Sequence, residues 1–407
     1  MNDLFGTDEG SLEGDEVFGH VSELNKPEKV QFKPWHQPRK QWVRDKQWWG
    51  ELRALLRKPI YSDVEIVKYF GLPGGDLLDV EFIRSKLASS SELENRMLLL
   101  HGLIDNREDK SSADSRLSQL LDFDNVDQAS RIDHFHFSGL ASEQSPVWGH
   151  MKSSAPYNLV NLDFCNCAFK EDTLTAMFNL MHFQIARQHE LPWLFCITTR
   201  LDREGVDGGV LSRLDKVYGS LMNGEADIVD EVKRCFEAAS EAIDENIKMN
   251  DLAMNKLAFS ELLQVCFVLW IISGAISRNV KVKLTNAMKY RGDPYSEFAD
   301  LHSLVFVFEK ETITEDDPYG LVIKSGLSKH EIPLDEQIQL KMRAVAKLSK
   351  SMDVDEYFES NLTVFEEYKS VMKELLEQCG WNTESYDAQM FPVSCSAKPH
   401  LPHPVVS

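Results

Sequence analysis

Residues 59–330 alternate short apolar segments with segments of helical periodicity, and this alternation constrains the fold more than any other feature of the chain. Short apolar runs suit strands that are buried on both faces of a sheet. Helical stretches between successive strands are typical of βα units with parallel strands. The sequence therefore predicts an α/β domain. The predicted strands are residues 76–80, 96–104, 131–137, 157–164, 192–199, 280–290 and 301–309.

The last two predicted strands are joined by the turn RGDPYSEFAD, so we expect them to form an antiparallel hairpin. The apolar stretch 262–276 is shorter than the roughly 20 residues that cross a bilayer, which favours a buried helix. The predicted helices are residues 81–94, 111–122, 172–190, 210–222, 225–249, 257–276, 334–350 and 354–378. The last two form a predicted helical appendage, residues 331–390, before an irregular tail at 391–407.

Seven cysteines occur at irregular spacing and include no CxxC pair. Together with the lack of a recognisable signal peptide, this pattern predicts free thiols in a reducing cytoplasm and no zinc site of the usual kind. We expect no metal. The formal net charge of −21 would repel nucleic acid if it were spread evenly, but it is not.

Residues 1–25 contain seven acidic residues and no Lys or Arg. They include two similar tetrads, DLFG and EVFG, in which Phe5 and Phe18 each lie two residues after an acidic residue. An acidic disordered tail with isolated aromatic residues suits a short docking motif for a protein partner. The alternative is a chance similarity within a flexible terminus.

Residues 26–58, the basic Trp-rich segment, contain ten Lys or Arg residues against three acidic ones, and four of the eight tryptophans. Cations that bind phosphates and rings that stack on bases are what single-stranded nucleic acid requires. The alternative is a clasp, in which the tryptophans pack on the main domain and the cations stay solvated. The predicted contacts to a partner or nucleic acid are Trp35, Arg39, Lys40, Trp42 and Arg44.

The order of elements in 76–310 resembles the class I, Rossmann-like methyltransferase fold, most clearly in its second half. RIDHFHFSGLASEQ and SAPYNLVNLDFCN resemble the third and fourth strands of that family. LPWLFCITTRLDREG resembles the fifth strand, and YRGDPYSEFADLHSLVFVFEK resembles the closing hairpin. The resemblance implies a Rossmann-like, mostly parallel sheet with a C-terminal antiparallel hairpin, and S-adenosylmethionine as the cofactor.

The resemblance also implies site residues. Asp163 aligns with the first polar residue of an Asp/Asn-Pro-Pro-aromatic motif, so Asp163 and Asn166 are the candidate catalytic residues, which could hold an amine and receive its proton. Asp105, after the second strand, would accept the ribose hydroxyl protons, and Asp79 is a second cofactor candidate.

Two departures weaken the expected chemistry. No proline follows Asp163, and the predicted first strand DLLDV is not followed by a glycine-rich loop. The sequence GLPGGD (71–76) precedes that strand and is interpreted as a turn.

Other candidate sites have simpler interpretations. Cys165 and Cys167 lack a neighbouring base or cation that would activate a thiol. His134 and His136 would share one face of a strand, with Phe135 and Phe137 facing the core. The loop 198–209 could cover a substrate pocket.

Two hypotheses follow. The chain is either a methyltransferase acting on nucleic acid or protein, or a non-catalytic scaffold subunit that has kept the fold and lost the chemistry. In the second case it would join a multi-protein complex, with nucleic-acid processing or antiviral defence as the suggested setting, through the N-terminal tail and the basic Trp-rich segment.

Overall fold

The fold is described from a computed structural model that covers residues 29, 31–105, 107–164, 166–188, 190–292, 296, 298–310 and 331–393. The candidate docking residues Phe5 and Phe18, and Cys165, lie outside these residues.

Eight strands form one sheet in the order β3-β2-β1-β4-β5-β7-β6-β8. Strands β1 to β5 pair in parallel, whereas β7 lies antiparallel between β5 and β6. This order confirms the predicted Rossmann-like sheet, its closing hairpin and the class I methyltransferase fold. The strands are β1 (Ile66–Gly71), β2 (Met97–Leu103), β3 (Arg131–Asp133), β4 (Leu159–Asp163), β5 (Trp193–Arg200), β6 (Val280–Tyr290), β7 (Leu301–Lys310) and β8 (Met352–Asp353).

Helices cover both faces of the sheet. The first two, α1 (Pro38–Trp42) and α2 (Gly50–Leu56), are joined by a π-helical segment, Val43–Trp49. The others are α3 (Leu78–Ser89), α4 (Arg107–Leu121), α5 (Pro146–Ser154), α6 (Glu171–Arg187), α7 (Gly208–Gly224), α8 (Ala226–Cys235), α9 (Glu237–Asp244), α10 (Lys256–Ile276), α11 (Leu334–Leu348), α12 (Val354–Ser360), α13 (Leu362–Gln378) and α14 (Tyr386–Gln389).

Alternation along the strands divides the core into two hydrophobic clusters. In β4, Leu159 belongs to one cluster and Val160 to the other, because successive side chains of a strand point to opposite faces. One cluster packs against α5 to α11. The other packs against α1 to α4 and α12 to α14. The C-terminal helices are thus divided between the two faces, α11 on the first and α13 on the second.

Helix α10 is the centre of the first cluster. It is long and apolar enough to cross a membrane, the only such helix within the described ranges, but 72% of its most apolar window is buried inside the fold. It contacts α6, α7, α9 and α11 as well as β6. The prediction of a buried helix in this stretch is confirmed.

The prediction of the first strand at residues 76–80 was wrong. Residues 78–80 open α3, and the first strand is Ile66–Gly71, which is rich in aromatic and β-branched residues. Asp79 and Glu81 lie in the first turn of α3, where carboxylates interact favourably with the helix dipole. GLPGGD therefore follows the first strand, contrary to the prediction.

Three further element predictions needed correction. Strand β3 ends at Asp133, and the chain continues into a 3₁₀ helix at Phe137–Ala141, so His134 and His136 do not lie on a strand. The predicted helix 225–249 is divided near Phe236, and the predicted helix 354–378 is divided at Asn361. Residues 146–154, for which no element was predicted, form α5.

Candidate active site

The carboxyl ends of the parallel strands lie at one edge of the sheet, and the strand order reverses between β1 and β4. Ligands of open α/β sheets bind at such an edge, beside the reversal. Both the glycine-rich turn after β1 and the polar residues after β2, β3 and β4 belong to this edge. The candidate site is built from these four segments.

Gly71 is the last residue of β1, and the turn after it contains Gly74 and Gly75 and leads into α3. A Cβ atom at Gly74 would meet nothing within 4 Å, whereas one at Gly75 would lie 2.9 Å from the side chain of Asp109. A Cβ at Gly71 would overlap the ring of Tyr69. Gly71 and Gly75 are therefore required by packing, and Gly74 presents backbone to open space.

Asp105 lies two residues beyond the end of β2, and its side chain is 61% exposed. Its one described contact is with His136, whose Nε2 lies 3.4 Å from a carboxylate oxygen, and this imidazole is also largely exposed. The carboxylate is thus available to a ligand at the edge next to the glycine-rich turn.

Asp79 lies inside the fold. Its carboxylate accepts a hydrogen bond from the Tyr69 hydroxyl and one of 3.4 Å from Asn161 Nδ2, and its residue is 7% exposed. These contacts connect β1, α3 and β4 directly beneath the turn. Contact between Asp79 and a cofactor stays a prediction.

A polar network that was not predicted from the sequence lies in the last residues of β2 and β3. His101, fully buried, contacts the Tyr157 hydroxyl at 2.5 Å through Nδ1 and Asp133 at 2.8 Å through Nε2. Burial lowers the pKa of His101, while the contact with Asp133 opposes this change. His150 approaches the other oxygen of Asp133 at 2.9 Å. The available signal was a histidine within the otherwise apolar run MLLLHGL.

Asp163, at the end of β4, forms an ion pair with Lys40 of α1, at 2.6 Å between Nζ and Oδ1. The side chain of Lys40 is 4% exposed and that of Asp163 is 16% exposed. Lys40 also donates to the Tyr290 hydroxyl at 3.1 Å, and its ammonium lies 4.6 Å from the centre of the Trp48 ring. This arrangement places an ammonium between a carboxylate and aromatic rings.

The pKa of Lys40 is raised above its ordinary value. Burial alone would lower it, but the adjacent Asp163 carboxylate, followed by Tyr290, outweighs burial. Lys40 is therefore a cation at the carboxyl end of β4. Asp163 has a strong partner from the chain itself, which the sequence analysis did not predict, because Lys40 lies 123 residues away.

Two other cations of the basic Trp-rich segment, Arg39 and Arg44, are also internal. Arg39 pairs with Asp355 at 3.0 Å, and Arg44 donates to the Trp35 carbonyl at 3.1 Å. Arg39, Arg44 and Trp42 are buried, and Trp35 is half-buried. The tryptophans therefore pack as a clasp would. Arg39, Lys40 and Arg44 are buried with internal partners, whereas Lys46, Arg53 and Arg57 are exposed, as the clasp alternative expects. Binding of this segment to nucleic acid stays a prediction.

Asn166 is exposed, and its backbone carbonyl accepts from the Arg200 N–H at 3.4 Å, so it lies beside the end of β5.

Burial raises the pKa of the Cys167 thiol to about 11, which agrees with an unactivated cysteine. His134 contacts Asp114 on the surface at 3.0 Å. The described part of the chain holds no group of three or more His, Cys, Asp or Glu side chains that could bind a metal ion.

These residues fit the nucleoside end of S-adenosylmethionine. The open backbone at Gly74 leaves room for a ligand, and Asp105 supplies the exposed acceptor that paired ribose hydroxyls need. The glycine-rich loop that the sequence analysis found missing is thus present after β1.

A family model described as PP_RS20740-like matches residues 29–391. A search of the curated proteins found no match. Three solved structures are similar to this chain. An rRNA methylase from Streptococcus thermophilus is 11% identical with a TM-score of 0.31, and the match covers 69% of this chain and 99% of that one.

The methyltransferase domain of a bacterial Hen1, CtHen1, is 14% identical with a TM-score of 0.31, covering 65% of this chain and 98% of that one. Loganic acid methyltransferase with SAH is 9% identical with a TM-score of 0.28, and the match covers 70% of this chain and 99% of that one. The fold of the present chain is established by its own strand order.

Proposed function

The chain belongs to the PP_RS20740-like family, and from this premise and its methyltransferase strand order we propose that it binds S-adenosylmethionine at the carboxyl ends of β1 and β2. The observation that carries the proposal is the glycine-rich turn after β1, where Gly74 faces open space. The exposed carboxylate of Asp105 lies after the neighbouring strand. Ligands of this fold class bind at that edge.

Each residue of the cofactor half has a separate task in this proposal. The backbone around Gly74 accommodates the ligand without a side chain in the way, and Asp105 accepts hydrogen bonds from vicinal hydroxyls. The buried Asp79 holds Tyr69 and Asn161, which keeps the base of the turn in place. The bound cofactor would supply an electrophilic methyl group.

For the acceptor half, we propose that Asp163 and Asn166 face the substrate in a methyltransferase whose acceptor is a nucleic acid or a protein. An incoming amine would have to compete with Lys40 for Asp163, because Lys40 holds one oxygen at 2.6 Å. Catalysis by Asp163 as a proton acceptor therefore requires Lys40 to move. The location that we propose for this activity is the cytoplasm.

The ion pair between Lys40 and Asp163 also favours a second function, a binding subunit that keeps the cofactor site without methyl transfer. In that case partners would be recruited by the N-terminal tail, through Phe5 and Phe18. The two candidates share cofactor binding and differ in whether Asp163 becomes available.

Titration calorimetry with S-adenosylmethionine and S-adenosylhomocysteine tests the shared step. We expect one site per chain with a micromolar Kd. Asp105→Asn and Gly74→Val should each weaken binding at least ~10-fold, which corresponds to ~1.4 kcal/mol. Asp124→Asn, an exposed aspartate in the turn before β3, is the matched control and should bind like the wild type.

Absence of binding at a cofactor concentration near 1 mM would contradict the proposal. Equal binding by wild type and Asp105→Asn would contradict the assigned site. If binding is confirmed, transfer of a labelled methyl group to RNA or protein, with its loss in Asp163→Asn, separates the enzyme from the binding subunit.

A further inference from the structure

A cavity of about 380 Å³ lies between α6, α7 and α10, on the face of the sheet opposite to Lys40. Ligand sites are typically concave, mostly apolar and a few hundred Å³ in volume, with a small number of polar groups that orient the ligand. This cavity has that composition and plays no part in the cofactor site proposed above.

One wall of the cavity is a continuous series of aromatic rings. Phe169 meets Phe267 edge to face at 5.1 Å between ring centres, and Phe267 stacks on Trp270 at 5.9 Å. Phe178 lies 5.9 Å from Trp270 on the other side. Flat rings that expose faces and edges in this way suit a planar or extended apolar body.

The opposite wall is aliphatic and comes from one helix. Val210, Leu214 and Val217 of α7 are spaced so that they share a face, and all three line the cavity. Val210 and Leu214 are buried, whereas Val217 is 38% exposed. The opening is therefore on the side of Val217, where a ligand could enter.

One charged side chain lines the cavity. Arg213 of α7 pairs with Glu171 at the start of α6, and both side chains are more than half exposed. An exposed pair of this kind contributes little free energy, and a guanidinium has five N–H donors, so it can accept a second anion. Arg213 thus makes the opening selective for a negatively charged group.

A buried hydroxyl next to the aliphatic wall lacks a partner. Tyr218 follows Val217, is 5% exposed, and its hydroxyl has no hydrogen-bond partner within the described residues. Cys266, which lines the cavity, is close enough to contribute to the raised pKa of Tyr218, after burial itself. A buried polar group without a partner is costly unless a ligand or water satisfies it.

We propose that this cavity binds a small amphiphilic organic anion, with an aromatic body between the rings of α10 and the aliphatic face of α7 and its acidic group at Arg213. The site is independent of S-adenosylmethionine. It would let the chain respond to an aryl carboxylate or a similar acid in addition to its cofactor.

A pair of fluorescent probes tests the proposal without cofactor. 8-Anilinonaphthalene-1-sulfonate carries an aromatic body and one anionic group, and N-phenyl-1-naphthylamine has the same body without charge. In the full chain we expect one sulfonate probe per chain, bound at least tenfold more tightly than the neutral probe. Arg213→Gln should remove this preference and keep the neutral probe.

Val217→Trp places a large ring in the opening and should abolish binding of both probes. Lys216→Gln, which removes an exposed cation next to the cavity-lining Val217, is the matched control and should bind like the wild type. Melting temperatures confirm that each variant is folded. Equal affinity for the two probes in the wild type, or unchanged binding in Val217→Trp, would overturn the proposal. Because no cofactor is used, failure here leaves the cofactor proposal standing.

Discussion

The two halves of the carboxyl edge differ in whether their polar groups are exposed or already paired within the chain. After β1 and β2, Gly74 faces open space and the Asp105 side chain is 61% exposed. After β4, Asp163 is 16% exposed and pairs with the buried ammonium of Lys40. The proposed cofactor half is open to a ligand, whereas the proposed acceptor half is filled by Lys40 of the basic Trp-rich segment.

This contrast means that the proposed cofactor binding and the proposed methyl transfer depend on different residues and can be tested separately. Removing one partner of a buried ion pair leaves an uncompensated charge and is strongly destabilising, whereas removing an exposed carboxylate next to a glycine-rich turn costs little. Variants in the two halves should therefore have opposite signatures. Changes that break the Lys40–Asp163 pair should affect unfolding, and changes at Gly74 and Asp105 should affect ligand binding.

The largest expected effect is that of Lys40→Met. Removing the ammonium leaves the Asp163 carboxylate poorly solvated and without its partner, which should lower the free energy of unfolding by about 3–5 kcal/mol. Urea unfolding measures the change. The double variant Lys40→Met with Asp163→Leu should recover most of the loss, because replacing both ions by apolar groups is often neutral.

Lys46→Met is the matched control for this measurement. Lys46 lies in the same segment, is 50% exposed and pairs with Asp45 at 3.2 Å. It should change the free energy of unfolding by less than about 1 kcal/mol. Equal effects of the two lysine substitutions would show that the contrast between the halves is wrong.

The next effect concerns pH. Burial, followed by Arg44, lowers the pKa of His36 to about 3, so the folded state favours the neutral imidazole. As the pH falls below the ordinary value of 6.5, the unfolded state takes up this proton first and stability is lost. His36 alone should cost about 2 kcal/mol between pH 7 and pH 5.

His36→Phe isolates this contribution, because His36 packs edge to face on Trp381 and Phe32 and a phenyl ring keeps that packing. The difference in unfolding free energy between pH 7 and pH 5 should be about 2 kcal/mol smaller than in the wild type. His134→Gln, on the surface, serves as the control. A pH dependence that is unchanged in His36→Phe would contradict the buried position of this residue in the segment that carries Lys40.

A smaller effect distinguishes two adjacent glycines of the open half. Gly75→Ala places a Cβ 2.9 Å from the side chain of Asp109 and should destabilise the fold by about 1–3 kcal/mol. Gly74→Ala meets nothing within 4 Å and should be neutral or slightly stabilising. Thermal unfolding of the two variants tests the geometry of the turn, and equal effects would contradict it.

The smallest expected effect is that of His136→Gln. His136 and Asp105 are both largely exposed, so their contact should contribute less than about 1 kcal/mol to stability. A large loss of unfolding free energy would mean that Asp105 has a structural role, which would contradict the proposal that its carboxylate is available to a ligand.

Much of this edge was predictable from the sequence. The apolar run that ends at Asp163 predicted the end of a central strand, and the two strands at 280–290 and 301–309 predicted the hairpin. The first turn of α3 was predicted as a strand because its apolar residues, flanked by aspartates, have the composition of a short strand. That single error displaced the glycine-rich turn from its place in the fold.

The partner of Asp163 could not be predicted. Lys40 reaches it from an N-terminal helix across a large sequence separation, and no local pattern shows which lysine is buried. The contacts of His101 with Tyr157 and Asp133 are hidden for the same reason, because they depend on how three separate segments pack. Composition predicts cations in the basic Trp-rich segment, but only packing decides that Arg39, Lys40 and Arg44 are internal while Lys46 is exposed.

A crystal structure of the chain grown with 1 mM S-adenosylhomocysteine tests the contrast between the two halves most directly. We expect the ligand beside Gly74 with its ribose on Asp105, and the Lys40 ammonium still on Asp163. Ligand density elsewhere, or no ligand density at all, would contradict the proposal that Gly74 and Asp105 bind the ligand. Separation of Asp163 from Lys40 would contradict the proposal that this ion pair occupies the other half of the edge.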